Sequence, residues 1–216
     1  MDNFVTFLWS ERVLISDGIM QTIHVSALAL LFSILGGLVV GFLRCIPSRV
    51  IGAITRVYLE AFRMIPLIVW LFAAFFMLPR FMGRGFSSHT SAIWVFTLWG
   101  SAEMGELVKG AIQSLPKIQR ETGLALGLST PQLYAYVLIP QAIKRLIPGV
   151  INMATRIIKT TSMLDFVGVI EVVARSRQII ERTNESFIMW TFVFFFFFVL
   201  CYPLTLWSRH LEKKLV

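Results

Sequence analysis

The stretch PKIQRETGLALGLSTPQLYAYVLIP, residues 116–140, separates two long apolar runs. It carries three charges of its own: Lys117, Arg120 and Glu121. Its pattern predicts a short helix, a break at Gly127, a turn at 129–131 and a second helix. A helix–turn–helix of this polarity does not belong in hydrocarbon. We therefore expect it at or beyond a membrane surface, where a soluble partner can reach it.

The composition of the whole chain is typical of a membrane protein. The 216 residues are 56% hydrophobic and 15% charged, and their mean hydropathy is +0.75, whereas soluble domains carry about 25% charged residues. The net charge of +8 would favour a nucleic-acid partner in a soluble chain. Here the basic residues lie mostly between apolar runs, which favours the anionic cytoplasmic leaflet instead. Cys45 and Cys201 form neither a metal-binding spacing nor a disulfide framework.

Five apolar runs predict five transmembrane helices in an all-α membrane protein. The predicted segments are an N-terminal interfacial or periplasmic stretch, 1–17, and a transmembrane domain, 18–216, with spans at about 18–43, 55–78, 92–113, 146–168 and 186–206. Gly36, Gly37 and Gly41 give the first span a small-residue face suited to close helix packing. Residues 169–185 are polar enough to leave the membrane. No basic n-region and cleavage site precede the first span, so we expect no cleaved signal peptide.

The distribution of Lys and Arg predicts the orientation of these spans. One side collects Arg44, Arg49, Arg56, Lys109, Lys117, Arg120, Lys144, Arg145, Arg209, Lys213 and Lys214, and the other only Arg12, Arg80, Arg84, Arg175, Arg177 and Arg182. The richer side should be cytoplasmic. This places the N-terminus outside, the C-terminus inside and residues 116–140 in the cytoplasm.

Several charges fall inside the predicted spans: Arg63, Glu103, Glu106, Arg156 and Lys159. Each costs about 2.5–3.5 kcal/mol at a helix centre unless it pairs or faces water. Glu103 and Glu106 share one helix face because they are three residues apart, and so do Arg156 and Lys159. Two interpretations are open, structural salt bridges or a pathway for a polar or zwitterionic solute. Three hydroxyls continue the basic face or bond back to the helix backbone: Thr160, Thr161 and Ser162.

Residues 120–142, RETGLALGLSTPQLYAYVLIPQA, resemble the cytoplasmic signature of bacterial ABC importer permeases. That signature has a Glu-Ala-Ala start, a glycine about four residues later, and a closing Leu-Pro or Ile-Pro. Gly127 and Ile139-Pro140 match, whereas the start reads Glu121-Thr122-Gly123. Further stretches look like the polar amino acid uptake subfamily, the histidine, glutamine, glutamate and arginine permeases: 58–72, 105–121, 139–152 and 157–164. Residues 100–106 and 159–162 depart from the subfamily pattern, which leaves the solute open.

The resemblance implies a type I importer permease in a bacterial inner membrane. It would pair with a second copy or a related permease, above two P-loop ATPase subunits that bind ATP and Mg²⁺. A periplasmic or lipid-anchored amino-acid-binding protein would deliver the polar amino acid. The residues implied in ATPase coupling are Glu121, Thr122, Gly123, Gly127, Leu128 and Pro140. Those assigned to the substrate pathway are Arg63, Glu103, Glu106, Arg156, Lys159, Thr160, Thr161 and Ser162.

The chain carries no enzyme motif of its own. It lacks GxxxxGK[ST], so ATP hydrolysis is expected in a separate chain. The three histidines are scattered along the sequence, and we expect neither a metal nor a cofactor in this chain. The alternative is a transporter or channel subunit that no ABC ATPase drives. Such a protein would explain the intramembrane charges but would have no use for residues 116–140.

Overall fold

A computed structural model describes residues 4–82 and 87–215, and within these ranges the regular structure is helical throughout. Arg84, counted above for orientation, lies outside them. The helices are α1 (Phe4–Ser10), α2 (Arg12–Cys45), α3 (Arg49–Met64), α4 (Leu67–Met82), α5 (Ser88–Gln113), α6 (Lys117–Ala125), α7 (Thr130–Leu133), α8 (Ile139–Thr160), α9 (Val172–Thr183) and α10 (Ser186–Leu215). A π-helical turn, Tyr134–Leu138, precedes α8, and a 3-10 helix, Thr161–Val167, follows it.

Helices α2 and α5 pack closely along a seam of small residues. A Cβ atom on Gly37 would lie 2.2 Å from the Cβ of Met104, and one on Gly41 would lie 2.5 Å from Val108. The seam is reciprocal, since a Cβ on Gly100 would lie 2.1 Å from Ser33 Oγ. In such contacts the side chains of one helix lie directly against the glycine backbone of the other, so the two helices approach closely. The predicted packing face of the first span is thereby confirmed.

The second predicted span, 55–78, is not one helix. Helix α3 ends at Met64, α4 begins at Leu67, and the two are bent by 101° at the break. Pro66 explains the interruption because it lacks an N–H group and disfavours helical geometry in the residue before it. Trp70 Nε1 then donates to Ala61 O at 3.4 Å and bridges the break.

Among the described residues, α2 and α10 are long and apolar enough to cross a membrane. The bent pair α3–α4 adds a third crossing if it acts as one span. The predicted third and fourth spans correspond to α5 and α8, which carry four of the five charges predicted within spans and are less apolar than α2 and α10. Helix α2 begins at Arg12, so it starts within the predicted interfacial segment 1–17.

The fourth predicted span, 146–168, also differs from a simple helix. Helix α8 begins at Ile139, inside the segment 116–140, and continues through Pro148. It then tightens into the 3-10 helix, which ends at Gly168 with φ +74°. Serine and threonine hydroxyls in this region bond back to the backbone, as Thr161 Oγ1 does to Ile158 O at 2.7 Å. Such bonding locally competes with the α-helical ladder.

The polar segment 169–185 forms α9, which ion pairs attach to the start of α2 and to the 3-10 helix. Arg175 pairs with Asp17 at 2.5 Å and Arg177 with Asp165 at 2.9 Å. Arg182 also pairs with Glu11. Three arginines of this polar segment therefore form ion pairs with carboxylates outside it.

Glu171 is the N-cap of α9 and is fully buried. Its Oε1 accepts from the N–H of Ala174 at 2.9 Å, while Oε2 has no hydrogen-bond partner among the described residues. Burial raises the pKa of this carboxyl from 4.5 to about 7, outweighing the backbone N–H groups of Val173 and Ala174, and the charge of Asp165 adds to the rise. Glu171 lies outside the five predicted spans.

The raised pKa predicts that the folded protein becomes less stable as pH rises. The unfolded chain releases the Glu171 proton near pH 4.5 but the folded protein only near pH 7. The free energy of unfolding should fall across that interval by about 3 kcal/mol.

Glu171→Gln, whose amide oxygen still accepts from Ala174, should remove most of this loss of stability. This variant should melt several degrees above wild type at pH 8. Thermal unfolding of the purified protein in detergent at pH 5 and pH 8 measures the effect. The exposed Glu185→Gln is the control, and a wild-type profile matching that of Glu171→Gln would contradict the prediction.

Candidate functional site

A cavity between α3, α5 and α8, of about 440 Å³, collects four of the five charges that fall inside the predicted spans. Its lining is Phe62, Arg63, Trp99, Ala102, Glu103, Glu106, Leu107 and Arg156. Four residues of the predicted substrate pathway are therefore neighbours in space, although they come from three helices. We call this space the charged cavity.

The charges in the cavity are paired across helices. Arg156 Nη2 lies 2.9 Å from Glu103 Oε1, which joins α8 to α5. Glu106 pairs with Arg44 at the end of α2, and Arg63 Nη2 lies 3.9 Å from the same Glu106 oxygen. The side chains of Arg63 and Arg156 are each 57% exposed, whereas that of Glu103 is 18% exposed. The guanidinium groups therefore keep N–H donors open to the cavity while their charges are balanced.

The break between α3 and α4 positions Phe62 and Arg63, which both line the charged cavity. Phe62 stacks on Trp70 with ring centroids 4.7 Å apart, and Tyr58 packs against Phe62 at 5.3 Å. Tyr58 also donates to Leu98 O on α5 at 2.5 Å. These contacts hold the last turns of α3 against α5. Arg63, in the last turn of α3, thereby lies at the charged cavity.

The other predicted pathway residues are not part of the cavity lining: Lys159, Thr160, Thr161 and Ser162. Thr161 is fully buried, and the hydroxyls of Thr160 and Ser162 donate to Arg156 O and Lys159 O, each at 2.8 Å. The sequence pattern assumed one continuous helical face, but the chain changes to 3-10 geometry at Thr161. Their part in transport stays a prediction.

Arg44 belongs to the site, and the sequence analysis counted it only as an orientation signal. It stands at the end of an apolar run, where a basic residue is expected in any case. Its pairing with Glu106 spans 62 residues of chain. Local spacing carries no sign of this contact.

The segment 116–140 has the predicted helix–break–turn–helix structure. Helix α6 ends in a Schellman motif, with Gly127 N–H donating to Leu124 O at 3.0 Å and Leu128 N–H to Gly123 O at 3.1 Å. Gly127 has φ +83°, a conformation that only glycine adopts at little cost. Helix α7 then begins at Thr130 after the N-cap Ser129.

The segment is anchored to the membrane helices through its apolar side. Leu133 is fully buried with Leu115, Leu138, Ala111 and Ala142 at the adjoining ends of α5 and α8. Gly123 is buried against Leu133, since a Cβ there would lie 2.5 Å from Leu133 Cδ1. Leu133 therefore connects α6 to the ends of both long helices.

Much of α6 and its C-cap is exposed and partly apolar. Glu121, Thr122 and Pro140 are exposed, as expected of coupling residues. Three large apolar side chains that the sequence analysis did not single out share this exposure: Ile118, Leu124 and Leu126, the last at 78%. An apolar patch within an otherwise polar segment is typical of a surface that a partner covers. We call these three residues with Glu121 the α6 patch.

The family model for the binding-protein-dependent transport system inner membrane component matches residues 16–216. The chain is 29% identical to the glutamine transport system permease protein GlnP of Escherichia coli K12 over 209 residues, covering 96% of this chain and 95% of that protein. It is 28% identical to the glutamate/aspartate import permease protein GltJ of the same organism over 195 residues, or 85% and 76% of the two chains. A crystal structure of an amino acid ABC transporter with histidines has the same fold, with TM-score 0.88, 21% identity and 99% of each chain covered.

Proposed function

The chain belongs to the family of binding-protein-dependent transport system inner membrane components, and we propose that it carries a polar amino acid across the bacterial inner membrane within an ABC importer. The observation that carries the proposal is the charged cavity, where guanidinium and carboxylate groups from three helices meet. The relatives named for glutamine and for glutamate/aspartate support the class of cargo.

The cavity chemistry suits a zwitterion. The open N–H groups of Arg63 and Arg156 would receive the α-carboxylate, and Glu103 would accept hydrogen bonds from the α-ammonium. A volume of about 440 Å³ is in the usual range for a small-molecule site. Binding would replace the ion pair between Glu103 and Arg156 with two, one at the α-carboxylate and one at the α-ammonium of the cargo. No charge in the cavity would be left unpaired.

We further propose five crossings, with the N-terminus outside and the C-terminus inside. In this arrangement α3–α4 is one bent crossing, and α5 and α8 cross with their charges turned toward the cavity. The excess of Lys and Arg on the side of α6 supports the orientation. Residues 4–10, which form α1, would lie along the outer face of the inner membrane.

We propose that α6 is the coupling helix and that the α6 patch docks on a P-loop ATPase. That separate subunit would bind ATP and Mg²⁺, consistent with a permease chain that has no enzyme activity of its own. A second permease copy or a related permease would complete the pathway. A periplasmic or lipid-anchored binding protein would supply the amino acid. The alternative of a transporter without an ABC ATPase gains no support from the comparisons.

Purification of the tagged chain in mild detergent, with mass spectrometry of the proteins that copurify, tests this proposal. We expect a P-loop ATPase, and reconstitution with the binding protein should then give ATP-dependent uptake of a polar amino acid. A complex with this permease alone would indicate a homodimer, and a second permease would indicate a heterodimer. A preparation that retains lipid but contains no ATPase would contradict the proposal.

A further inference from the structure

A second cavity, of about 590 Å³, lies between α5, α8 and the end of α10. Its polar lining includes Glu106, Ser114, Arg145 and Glu212. Ser114 immediately follows α5, two residues before the segment 116–140. The second cavity is thus at the end of the bundle nearest to α6, which the proposed orientation places in the cytoplasm.

The two cavities share part of their lining on α5. Glu106 and Leu107 line both of them. Leu107 packs against Gly149 on α8, where an added Cβ would lie 2.9 Å from Leu107 Cδ2. Glu106 is held by its ion pair with Arg44 on α2. The partition therefore closes through contacts of α5 with two neighbouring helices.

The second cavity repeats the chemistry of the first. Arg145 Nη1 donates to Ser114 O at 2.7 Å and to Ser114 Oγ at 3.0 Å. No ion pair to Arg145 occurs in the part of the chain that the structure describes. Asn152 Nδ2 donates to Glu212 Oε1 at 3.2 Å, which holds that carboxylate at the rim. A fixed guanidinium and a fixed carboxylate in one cavity match the two ends of an amino acid zwitterion.

We propose that the second cavity is an exit vestibule with its own amino-acid site, built on Arg145 and Glu212, and that Glu106 and Leu107 form the barrier between it and the charged cavity. This inference rests on the proposed function, since it assumes that cargo occupies the charged cavity. The barrier opens when α8 separates from α5, because that movement removes Gly149 from Leu107. Leu133 of α7 packs with the ends of both helices and against Gly123 of α6, so the same movement follows displacement of the segment 116–140.

The barrier is tested in proteoliposomes that contain the complete transporter with the ATPase facing the bath. The lumen holds the binding protein and one radiolabelled probe at a time: glutamine, glutamate, histidine or arginine. The probe to follow is the one that wild type transfers with ATP. In the absence of ATP, Leu107→Ala should release this probe several times faster than wild type does. Leu98→Ala, a matched truncation on α5 that lines neither cavity, should stay tight. Leakage of Leu107→Ala no faster than that of Leu98→Ala would overturn the barrier.

The vestibule site is tested by adding unlabelled probe to the bath, on the proposed cytoplasmic side. We expect it to inhibit ATP-dependent release in wild type, and Arg145→Gln or Glu212→Gln should raise the inhibitory concentration at least tenfold. Wild type that is not inhibited, or variants inhibited at the wild-type concentration, would overturn the site. If wild type transfers none of the four probes with ATP, the proposed function fails and this inference falls with it. If wild type transfers a probe normally and Leu107→Ala does not leak, the barrier is rejected while the proposed function stands.

Discussion

Leu126→Asp should lower ATP-dependent uptake at least tenfold while the protein still accumulates in the membrane. Leu126 is 78% exposed at the end of α6, so the free permease tolerates a charge at this position. In the docked state the same side chain would be covered by the ATPase. Burial of a leucine contributes about 1.5–3 kcal/mol, and an unpaired carboxylate in its place costs more. Each 1.4 kcal/mol corresponds to about tenfold in affinity.

The measurement pairs uptake in proteoliposomes with the amount of ATPase that copurifies with each variant. Leu126→Met conserves the apolar contact and should behave as wild type. Glu121→Ala should act in the same direction but more weakly, because an exposed ion pair contributes only about 0–1 kcal/mol. Full retention of ATPase and uptake by Leu126→Asp would remove the α6 patch from the coupling surface.

Glu103→Gln should abolish most uptake without releasing the ATPase. The change leaves the guanidinium of Arg156 without its carboxylate and removes the proposed acceptor for the α-ammonium group. A hydrogen bond to a charged group contributes about 1.5–3 kcal/mol, so loss of this acceptor should lower uptake about tenfold or more. Glu60→Gln, an exposed acid on α3, is the control and should transport normally.

A double variant separates the two interpretations of these charges. Glu103→Gln combined with Arg156→Gln removes the ion pair without leaving either charge alone. If the charges bind cargo, the double variant assembles with the ATPase but remains inactive. Recovery of uptake in the double variant would show that Glu103 and Arg156 serve only to neutralise each other.

The features that depend on local sequence were predictable. A glycine followed by a serine–threonine–proline turn ends a helix wherever it occurs, so the break at Gly127 followed from residues 116–140 alone. The close packing of the first span followed in the same way, because small residues on one face of an apolar helix have few other uses.

The features that depend on distant contacts were not predictable. A proline within an apolar run is compatible with a modest kink, and the 101° bend at Pro66 also depends on Trp70 reaching Ala61 and stacking on Phe62. Arg44 enters the site through Glu106, which is far along the chain. The change to 3-10 geometry at Thr161 likewise ends the α-helical face that Thr161 and Ser162 were expected to continue.

The continuity of α8 gives the protein a lever arm. Arg156 lies 17 residues beyond Ile139, where α8 begins beside the segment 116–140, a distance of about 26 Å along the helix axis. A rotation of about 5° at the Ile139 end would displace Arg156 by about 2 Å at that rise per residue. The contact of Arg156 with Glu103 is 2.9 Å long, so this displacement is enough to break it. A small rotation at the membrane surface is thereby amplified into the making or breaking of a charge pair deep in the bundle.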